Sequence, residues 1–254
     1  MDENTTISGE YKLEVISTTL RRHAHLLELH DVRRTFAFGH TTVQALRGIN
    51  LRIISGEMVA VWGPSGSGKS TLMNVIGLVD RPSRGKVILE GKNIRRLNDN
   101  TLSDYRNRKI GFIFQSFNLM PVLNVLENVM LPLQVQGIGD AQARSRATAL
   151  LGRVGLESFA KFRPDRLSGG QRQRTAIARA LVGDPVLVIA DEPTANLDSE
   201  NSLNVIDLMQ SMNAETGVTF VFSTHDPRLL DRVPRRIFLS DGVISKDEKN
   251  GAST

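Results

Sequence analysis

The stretch Gly63-Pro64-Ser65-Gly66-Ser67-Gly68-Lys69-Ser70-Thr71 decides the fold of this chain. It matches the pattern G-x-x-x-x-G-K-[ST], in which glycines let successive backbone N–H groups turn toward phosphate oxygens. The apolar segment 57–62 in front of it predicts a short buried strand, and the segment 71–77 behind it predicts the first turns of a helix. A strand, a glycine-rich loop and a helix N-terminus together form an anion site. The sequence therefore predicts a P-loop that binds a nucleoside triphosphate.

Two side chains of this loop have predicted roles in binding the nucleotide. Lys69 would reach the β- and γ-phosphates, and the Ser70 hydroxyl would ligate Mg²⁺. Because the backbone of the whole loop would hold phosphate oxygens, all of it is assigned to the nucleotide site. The assigned residues are Gly63, Pro64, Ser65, Gly66, Ser67, Gly68, Lys69, Ser70 and Thr71.

Composition excludes several classes of protein. The chain has 254 residues, of which 40% are hydrophobic and 23% charged, as in ordinary soluble globular proteins. It has no cysteine, so disulfides, thiolate metal sites and cysteine nucleophiles are excluded together. No apolar run approaches the roughly 20 residues of a membrane helix, and the polar residues 1–11 do not match a secretory signal. A net charge of +5 would suit nucleic acid or an anionic membrane, but scattered solvated Arg and Lys explain it more simply.

The first half of the chain predicts an antiparallel β subdomain beside the phosphate-binding core. Residues 1–25 carry little pattern and are expected to form an N-terminal extension. Glu90-Gly91 between two apolar runs is a hairpin signal at 86–94. Three further strands are expected around a loop that contains Phe36 and Phe38, at 26–30, 43–46 and 49–54.

The second half alternates strands with helices, which predicts an α/β fold with a mostly parallel central sheet. Residues 116–168 have a helical composition, and we interpret them as a helical subdomain inserted into the core. The remaining parts of the predicted domain 26–245, namely 26–115 and 169–245, would form the core with its β subdomain. Strands are expected at 110–114, 186–190, 218–222, 236–239 and 243–245, and residues 246–254 are expected to be a frayed tail.

Polar side chains follow three of the predicted core strands. Asp191 and Glu192 come directly after the apolar run 186–190, so both carboxylates would emerge at the ligand-binding edge of the sheet. Asp191 would hold Mg²⁺, and Glu192 would activate the attacking water as general base. Gln115 and His225 also end strands; the amide could contact Mg²⁺ or orient water, and the imidazole could donate to the γ-phosphate.

A second phosphate cradle is predicted at Ser168-Gly169-Gly170-Gln171, where a hydroxyl and two glycines open a helix. A helix cap with spacer glycines is the simpler interpretation of this stretch alone. Two cradles with one complete P-loop leave two arrangements open. Either the chain binds two anions, or each cradle faces a nucleotide that is held mainly by another copy.

Taken together, these segments resemble the ATPase subunit of an ABC (ATP-binding cassette) transporter over about residues 26–245. The family's motifs stand in the family's order, and the signature motif makes the resemblance specific. They are Walker A at 63–71, the Q-loop at Gln115, the signature at 167–171, Walker B with its catalytic glutamate at 186–192, the D-loop at Asn196-Leu197-Asp198 and the H-loop switch at His225.

The resemblance implies a head-to-tail homodimer, in which Ser168 and Gly170 of one copy close on Mg·ATP held by the P-loop of the other. It implies that Asp198 takes part in the nucleotide site and that an aromatic residue stacks on adenine. Phe36 is the best match for that aromatic residue and Phe38 is its rival, and a phenylalanine keeps the π-face needed for stacking.

Two segments are similar in sequence to those of one branch of the family, the lipoprotein-releasing and macrolide-exporting ATPases. They are Ile110-Gly111-Phe112-Ile113-Phe114-Gln115 and Asp191 to Ser199. That likeness implies a separate transmembrane permease and a peripheral position on the cytoplasmic side of the bacterial inner membrane. We expect an ATPase that powers export, lipoprotein release or mechanotransmission. The alternative is a regulatory ATPase that controls a periplasmic or cell-wall enzyme without transport. A soluble ABC ATPase acting on DNA or ribosomes fits less well, because the chain has one signature and no long coiled coil, so no nucleic-acid partner is expected.

Overall fold

The computed structural model of this chain describes residues 25–226 and 230–249. The predicted N-terminal extension, apart from His25, lies outside the described residues, as do residues 250–254 of the predicted tail. Among the described residues, none of the helices has the length and apolar character needed to cross a membrane.

A six-stranded sheet with the strand order β10-β9-β3-β8-β7-β6 forms the centre of the fold. Its strands β6, β7, β8, β3 and β9 run parallel, and β10 pairs antiparallel with β9. The fold therefore has the mostly parallel central sheet that the alternation of strands and helices predicts. The strands are β3 Met58–Trp62, β6 Ile110–Ile113, β7 Leu187–Asp191, β8 Thr219–Thr224, β9 Arg235–Ser240 and β10 Val243–Lys249.

The second sheet is antiparallel, with the strand order β2-β1-β4-β5. Its strands are β1 His25–Phe38, β2 Thr41–Ile54, β4 Arg84–Leu89 and β5 Lys92–Asn93. The sequence prediction placed Phe36 and Phe38 in a loop, and this is wrong. Both lie in β1, because the pairing of β1 with β2 continues to the Phe38–Thr41 pair at the Gly39 turn, where the glycine has φ 57°.

Six α-helices are described, and four of them cover the second half of the chain. The helix α2 was not predicted, because its polar sequence carries a single buried apolar residue, Leu102. The glycine-containing segment 137–139 separates α3 from α4. The helices are α1 Lys69–Ile76, α2 Asp99–Lys109, α3 Val125–Val135, α4 Asp140–Arg153, α5 Gly169–Leu181 and α6 Ser199–Thr216.

Alternate side chains of the central strands enter two separate hydrophobic cores. In β3, Val59 and Val61 pack with α1 and the antiparallel sheet, whereas Met58 and Ala60 face the core formed with α3 to α6. Both faces are covered, which is why the parallel strands are continuous apolar runs. The two layers hold the carboxyl ends of β3, β7 and β8 at one common edge.

The β9–β10 hairpin closes through Asp241-Gly242, a dipeptide that is typical of a hairpin turn. Asp241 has φ 48° and Gly242 has φ 76°, the two positive values of a type I′ turn. The strand β10 runs to Lys249, so the frayed tail predicted from residue 246 is wrong as far as Lys249. The strand continues to Lys249 because an ion-pair network holds it, and the partners in this network are distant in sequence.

Arg235 lies at the centre of this network, and its side chain is only 9% exposed. Its Nε and Nη2 donate to the Asp247 carboxylate at 2.9 and 2.7 Å, and its Nη1 donates to Glu57 Oε2 at 2.8 Å. Lys249 Nζ reaches Glu57 Oε1 at 2.8 Å. The hydrogen bonds to Asp247 raise the pKa of Arg235. The network therefore joins β10 to β9 and to the turn before β3.

We predict that Arg235→Ala lowers the free energy of unfolding by about 3 kcal/mol, because Asp247 loses both of its hydrogen bonds to the guanidinium and the largely buried Glu57 keeps only Lys249 as a cationic partner. Urea denaturation measures this loss. The matched control is Arg232→Ala, since Arg232 is 42% exposed and pairs with Asp207 at the surface. It should change stability by less than about 1 kcal/mol. Equal losses in the two variants would contradict the structural role of the network.

Candidate active site

Residues 63–68 form a loop between β3 and α1, and residues 69–71 are the first of the helix. Two glycines of the loop are required, Gly68 by its backbone angle and Gly63 by a close contact. Gly68 has φ 103°, a value that side-chain-bearing residues rarely adopt. A Cβ on Gly63 would lie 2.1 Å from the backbone oxygen of Leu239 on β9. The loop is thus packed against the neighbouring strand, and α1 begins at Lys69 with its N-terminus toward the loop.

The Lys69 ammonium lies inside this loop. Its Nζ donates to the carbonyl oxygens of Gly63 at 2.7 Å and Pro64 at 3.0 Å, and the residue is 7% exposed. An ammonium has three donors, so two of them fix its position and one remains for a ligand. Ser67 Oγ is buried in the same loop without a hydrogen-bond partner among the described residues. A buried cation and an unpaired buried hydroxyl fit a phosphate-binding role.

A cavity of about 650 Å³ lies over the loop, and we call it the P-loop cavity. The structure brings together here three of the predicted functional elements, namely the P-loop, Glu192 and His225. The hairpin turn at Asp241-Gly242 forms part of the wall, and Gly242 N donates to Ser67 O at 3.0 Å. The lining residues are Val43, Gln44, Ala45, Arg47, Ser65, Gly66, Gly68, Lys69, Ser70, Thr71, Glu192, His225, Asp241 and Gly242.

The two acids at the end of β7 occupy different positions. Asp191 is the last residue of the strand, whereas Glu192 turns away with φ 47° and lines the cavity. Glu192 Oε1 lies 3.1 Å from His225 Nδ1, so the predicted base and the predicted switch are in direct contact. This contact is close enough for the imidazole to orient the carboxylate.

Sequence reasoning missed Ser223 at this site. Its hydroxyl donates to Asp191 Oδ1 at 2.6 Å and accepts the backbone N–H of Glu192 at 2.9 Å. The residue sits on β8 directly opposite Asp191 in the parallel register, with no exposed surface. Only the strand pairing identifies it, because a serine within an apolar strand carries no motif of its own.

Gln115 lies after β6, outside the residues that line the P-loop cavity. Its backbone oxygen accepts from Asn196 Nδ2 at 2.8 Å, and its side chain is exposed. The turn that follows contains Phe117 with φ 61° and Asn118 with φ 48°. Arg179 of α5 holds this turn by donating to both of their carbonyl oxygens, at 2.8 and 2.5 Å.

The second cradle lies at the start of α5, away from the P-loop cavity of its own chain. Ser168 Oγ accepts the N–H of Gln171 at 3.2 Å, and Gln171 Oε1 accepts the N–H of Ser168 at 2.9 Å. This reciprocal pair is a capping box. Gly169 and Gly170 face the segment that follows Walker B, since Cβ atoms there would meet Leu197 at 3.2 Å and Asn201 at 2.7 Å.

Two further predicted residues lie at the edges of the site. Asp198 caps α6, and the backbone N–H of Asn201, followed by its side-chain amide, lowers the pKa of the Asp198 carboxyl. Phe36 lies directly opposite Val43, which lines the cavity, and the Arg34 guanidinium lies 4.5 Å from the centre of its ring. The Phe38 side chain lies outside the described part of the structure, so the choice between the two aromatic residues stays a prediction.

The fold and this site define a P-loop ATPase. A family model described as ABC transporter matches residues 46–195. The chain belongs to the ABC transporter family, as one of its ATP-binding proteins.

Curated relatives and a solved structure support this assignment. The chain is 44% identical to the lipoprotein-releasing system ATP-binding protein LolD of Geobacter metallireducens, over 87% of this chain and 99% of the relative. It is 47% identical to the macrolide export ATP-binding/permease protein MacB of Syntrophobacter fumaroxidans, but it spans only 31% of that relative's length. It resembles a dimeric post-hydrolysis structure of the ATP-binding cassette MJ0796 of Methanocaldococcus jannaschii bound to ADP and Pi. The TM-score is 0.81, with 42% identity over 88% of this chain and 98% of the other. The chain is an ABC ATPase.

We predict that Lys69→Ala weakens ATP binding roughly tenfold to a hundredfold, because a charge-assisted contact with phosphate contributes about 1.5–3 kcal/mol. Isothermal titration calorimetry measures the affinity. Lys86→Ala is the matched control, since it removes an equal charge from an exposed position on β4 and should leave the affinity unchanged. Unchanged affinity in Lys69→Ala would contradict the predicted phosphate cradle.

Proposed function

We propose that this chain powers a separate membrane permease by closing head to tail with a second copy around two Mg·ATP. One observation carries the proposal: the P-loop cavity contains the P-loop, Glu192 and His225 but not the cradle at Ser168. A complete site would therefore take its second cradle from another copy. The dimeric state of the MJ0796 cassette supports this arrangement.

The capped helix start retains donors for a phosphate on a second copy. Ser168 Oγ accepts one N–H in the capping box, and a hydroxyl keeps its own proton for donation. The first N–H groups of a helix have no partner inside the helix, and the helix dipole favours an anion there. The cap interpretation and the cradle interpretation of this stretch are therefore compatible.

The chemistry that we assign to the chain follows from the same geometry. Lys69 and the loop amides would bind the β- and γ-phosphates, and Glu192 would accept a proton from the attacking water. His225, 3.1 Å from Glu192, would hold that carboxylate in place. Ser70 lines the P-loop cavity, whereas Asp191 and Gln115 lie outside its lining residues. Together these three residues would offer the oxygen ligands that Mg²⁺ prefers, and the ion would neutralise charge on the phosphates when bound.

A groove beside the Q-loop fits the docking of a permease. It has a volume of about 490 Å³ and lies between α2, β6, the end of α3 and α5. Phe114 and Val135 line it and are 39% and 72% exposed, and Asn118 of the Arg179-held turn also lines it. Gln115 directly follows the groove-lining Phe114 in sequence, so it would link a permease in the groove to the nucleotide. We accordingly propose a peripheral position at the cytoplasmic face of the inner membrane.

Export and lipoprotein release are the functions named for MacB and LolD, and we extend them to this chain as the transport class. Control of a periplasmic or cell-wall enzyme is the alternative function. The partner that carries the membrane helices would decide between the two.

We predict that Glu192→Gln retains ATP affinity but lowers turnover about a hundredfold or more, because the amide cannot accept the proton from water. The variant should also form a dimer that depends on ATP, since hydrolysis no longer reopens it. A phosphate-release assay and size-exclusion chromatography with and without ATP measure the two effects.

The control for the dimer is Ser168→Arg in the Glu192→Gln background. It should abolish the ATP-dependent dimer and leave the ATP affinity of the isolated monomer within about twofold, since Ser168 does not line the cavity of its own chain. Near-normal turnover by Glu192→Gln would remove that residue as the base. An ATP-dependent dimer that survives Ser168→Arg would contradict the head-to-tail arrangement.

We predict that the subunit co-purifies with a membrane permease from detergent-solubilised native membranes, and that Val135→Glu abolishes the association. The reason is burial of a new carboxylate in an apolar contact. The matched control is Thr148→Glu on α4, an exposed position outside the groove. Mass spectrometry identifies the partner, and ATP hydrolysis by the isolated variants should stay unchanged. Recovery with ribosomes or DNA only, or equal recovery of permease with both variants, would contradict the proposed docking.

A further inference from the structure

The Ser223 hydroxyl makes hydrogen bonds to both predicted functional acids at the end of β7. It donates to Asp191 Oδ1 at 2.6 Å and accepts the N–H of Glu192 at 2.9 Å. A hydroxyl offers one donor and two acceptor positions, so both contacts can be made together. The contact to a carboxylate is short, as expected for a charge-assisted hydrogen bond.

The backbone at Glu192 needs such a partner. Its φ of 47° takes the chain out of the extended conformation of β7, and a non-glycine residue at this value is uncommon. The side-chain oxygen of Ser223 accepts the Glu192 N–H at this point. Because φ of Glu192 decides where its carboxylate emerges, the hydroxyl helps to direct that group toward the cavity and His225.

The same hydroxyl constrains Asp191. Ser223 binds Oδ1, while Oδ2 of Asp191 accepts no hydrogen bond from the part of the chain that the structure describes. One oxygen of the carboxylate is thus held by the protein, and the other stays available to a ligand. Ser223 itself has no exposed surface, and it lies opposite Asp191 in the register of β8 with β7.

We propose that Ser223 is a positioning residue that aligns the metal-binding carboxylate of Asp191 with the general base Glu192. The inference rests on the proposed roles of these two acids, and it does not depend on any partner protein. Ser223 acts through the two acids and does not line the P-loop cavity.

The experiment compares Ser223→Ala with Thr219→Val. Thr219 is a suitable control, since it lies on the same strand, is equally buried, and its hydroxyl also accepts one backbone N–H, from Gly56 at 2.8 Å. Both variants remove a buried hydroxyl and leave one N–H without its partner, but only Ser223→Ala touches the acids.

Two readouts separate positioning from stability. Steady-state ATP hydrolysis should show kcat lowered about tenfold to a hundredfold in Ser223→Ala, the range known for partners that orient metal ligands, with KM for ATP within about twofold. The second readout needs no turnover: the fluorescence of Trp62, the single tryptophan, reports Mg²⁺ titration in the presence of a non-hydrolysable ATP analogue. Trp62 directly precedes the P-loop and packs against Phe238 at 5.6 Å. Half-saturation with Mg²⁺ should need several times more metal in Ser223→Ala and be unchanged in Thr219→Val.

The inference is overturned if folded Ser223→Ala has wild-type kcat and Mg²⁺ dependence, or if Thr219→Val shows the same losses. If Ser223→Ala does not fold, Ser223→Thr replaces it, because threonine keeps the hydroxyl. The kcat and the Mg²⁺ dependence of this variant should then stay within about threefold of wild type. A tenfold loss of kcat in folded Ser223→Thr overturns the inference. Failure of the proposed function would look different. Wild-type protein without Mg²⁺ dependence, or Glu192→Gln with normal turnover, would remove the roles of the acids themselves.

Discussion

The parallel alignment of β3, β7 and β8 is the constraint on which the rest of the structure depends. It brings the P-loop after β3, the acids after β7 and His225 after β8 to one edge of the sheet. Two hydrophobic cores cover both faces of these strands, so the alignment is held by burial and not by the site itself. The predicted catalytic side chains can therefore be polar, exposed and, at Glu192, in an uncommon backbone conformation without loss of the fold.

Sequence predicted the parts of the site that depend on local pattern. The P-loop was predictable because its glycines and its lysine are consecutive, and Glu192 because it directly follows an apolar strand. Ser223 was not predictable, because it meets Asp191 only through the pairing of β8 with β7, two strands that are distant in sequence. The position of Phe36 was predicted wrongly, since its neighbours lack the apolar alternation of a strand and the pairing of β1 with β2 decides the structure there.

In the proposed head-to-tail dimer, the separation of the two predicted cradles would link ATP hydrolysis to association. The P-loop cavity of one chain does not include the predicted cradle at Ser168. A phosphate could then contact both cradles only when two copies meet, so nucleotide binding would favour the dimer by the free energy that the second cradle contributes. Hydrolysis would remove the γ-phosphate that the two cradles share, and the loss of this free energy would favour separation.

Helix α5 explains how closure of the cradle could reach a permease. It begins at the Ser168 cap and, at about 1.5 Å per residue, its 13 residues extend for roughly 20 Å. Near its other end Arg179 donates to the carbonyl oxygens of Phe117 and Asn118, and burial lowers the pKa of this guanidinium. Arg172 of the same helix lies 5.3 Å from the Phe117 ring. One helix therefore begins at the predicted cradle and contacts the groove-lining turn near its other end. In the proposed dimer, displacement of the cradle toward a second copy would shift this turn and the groove with it.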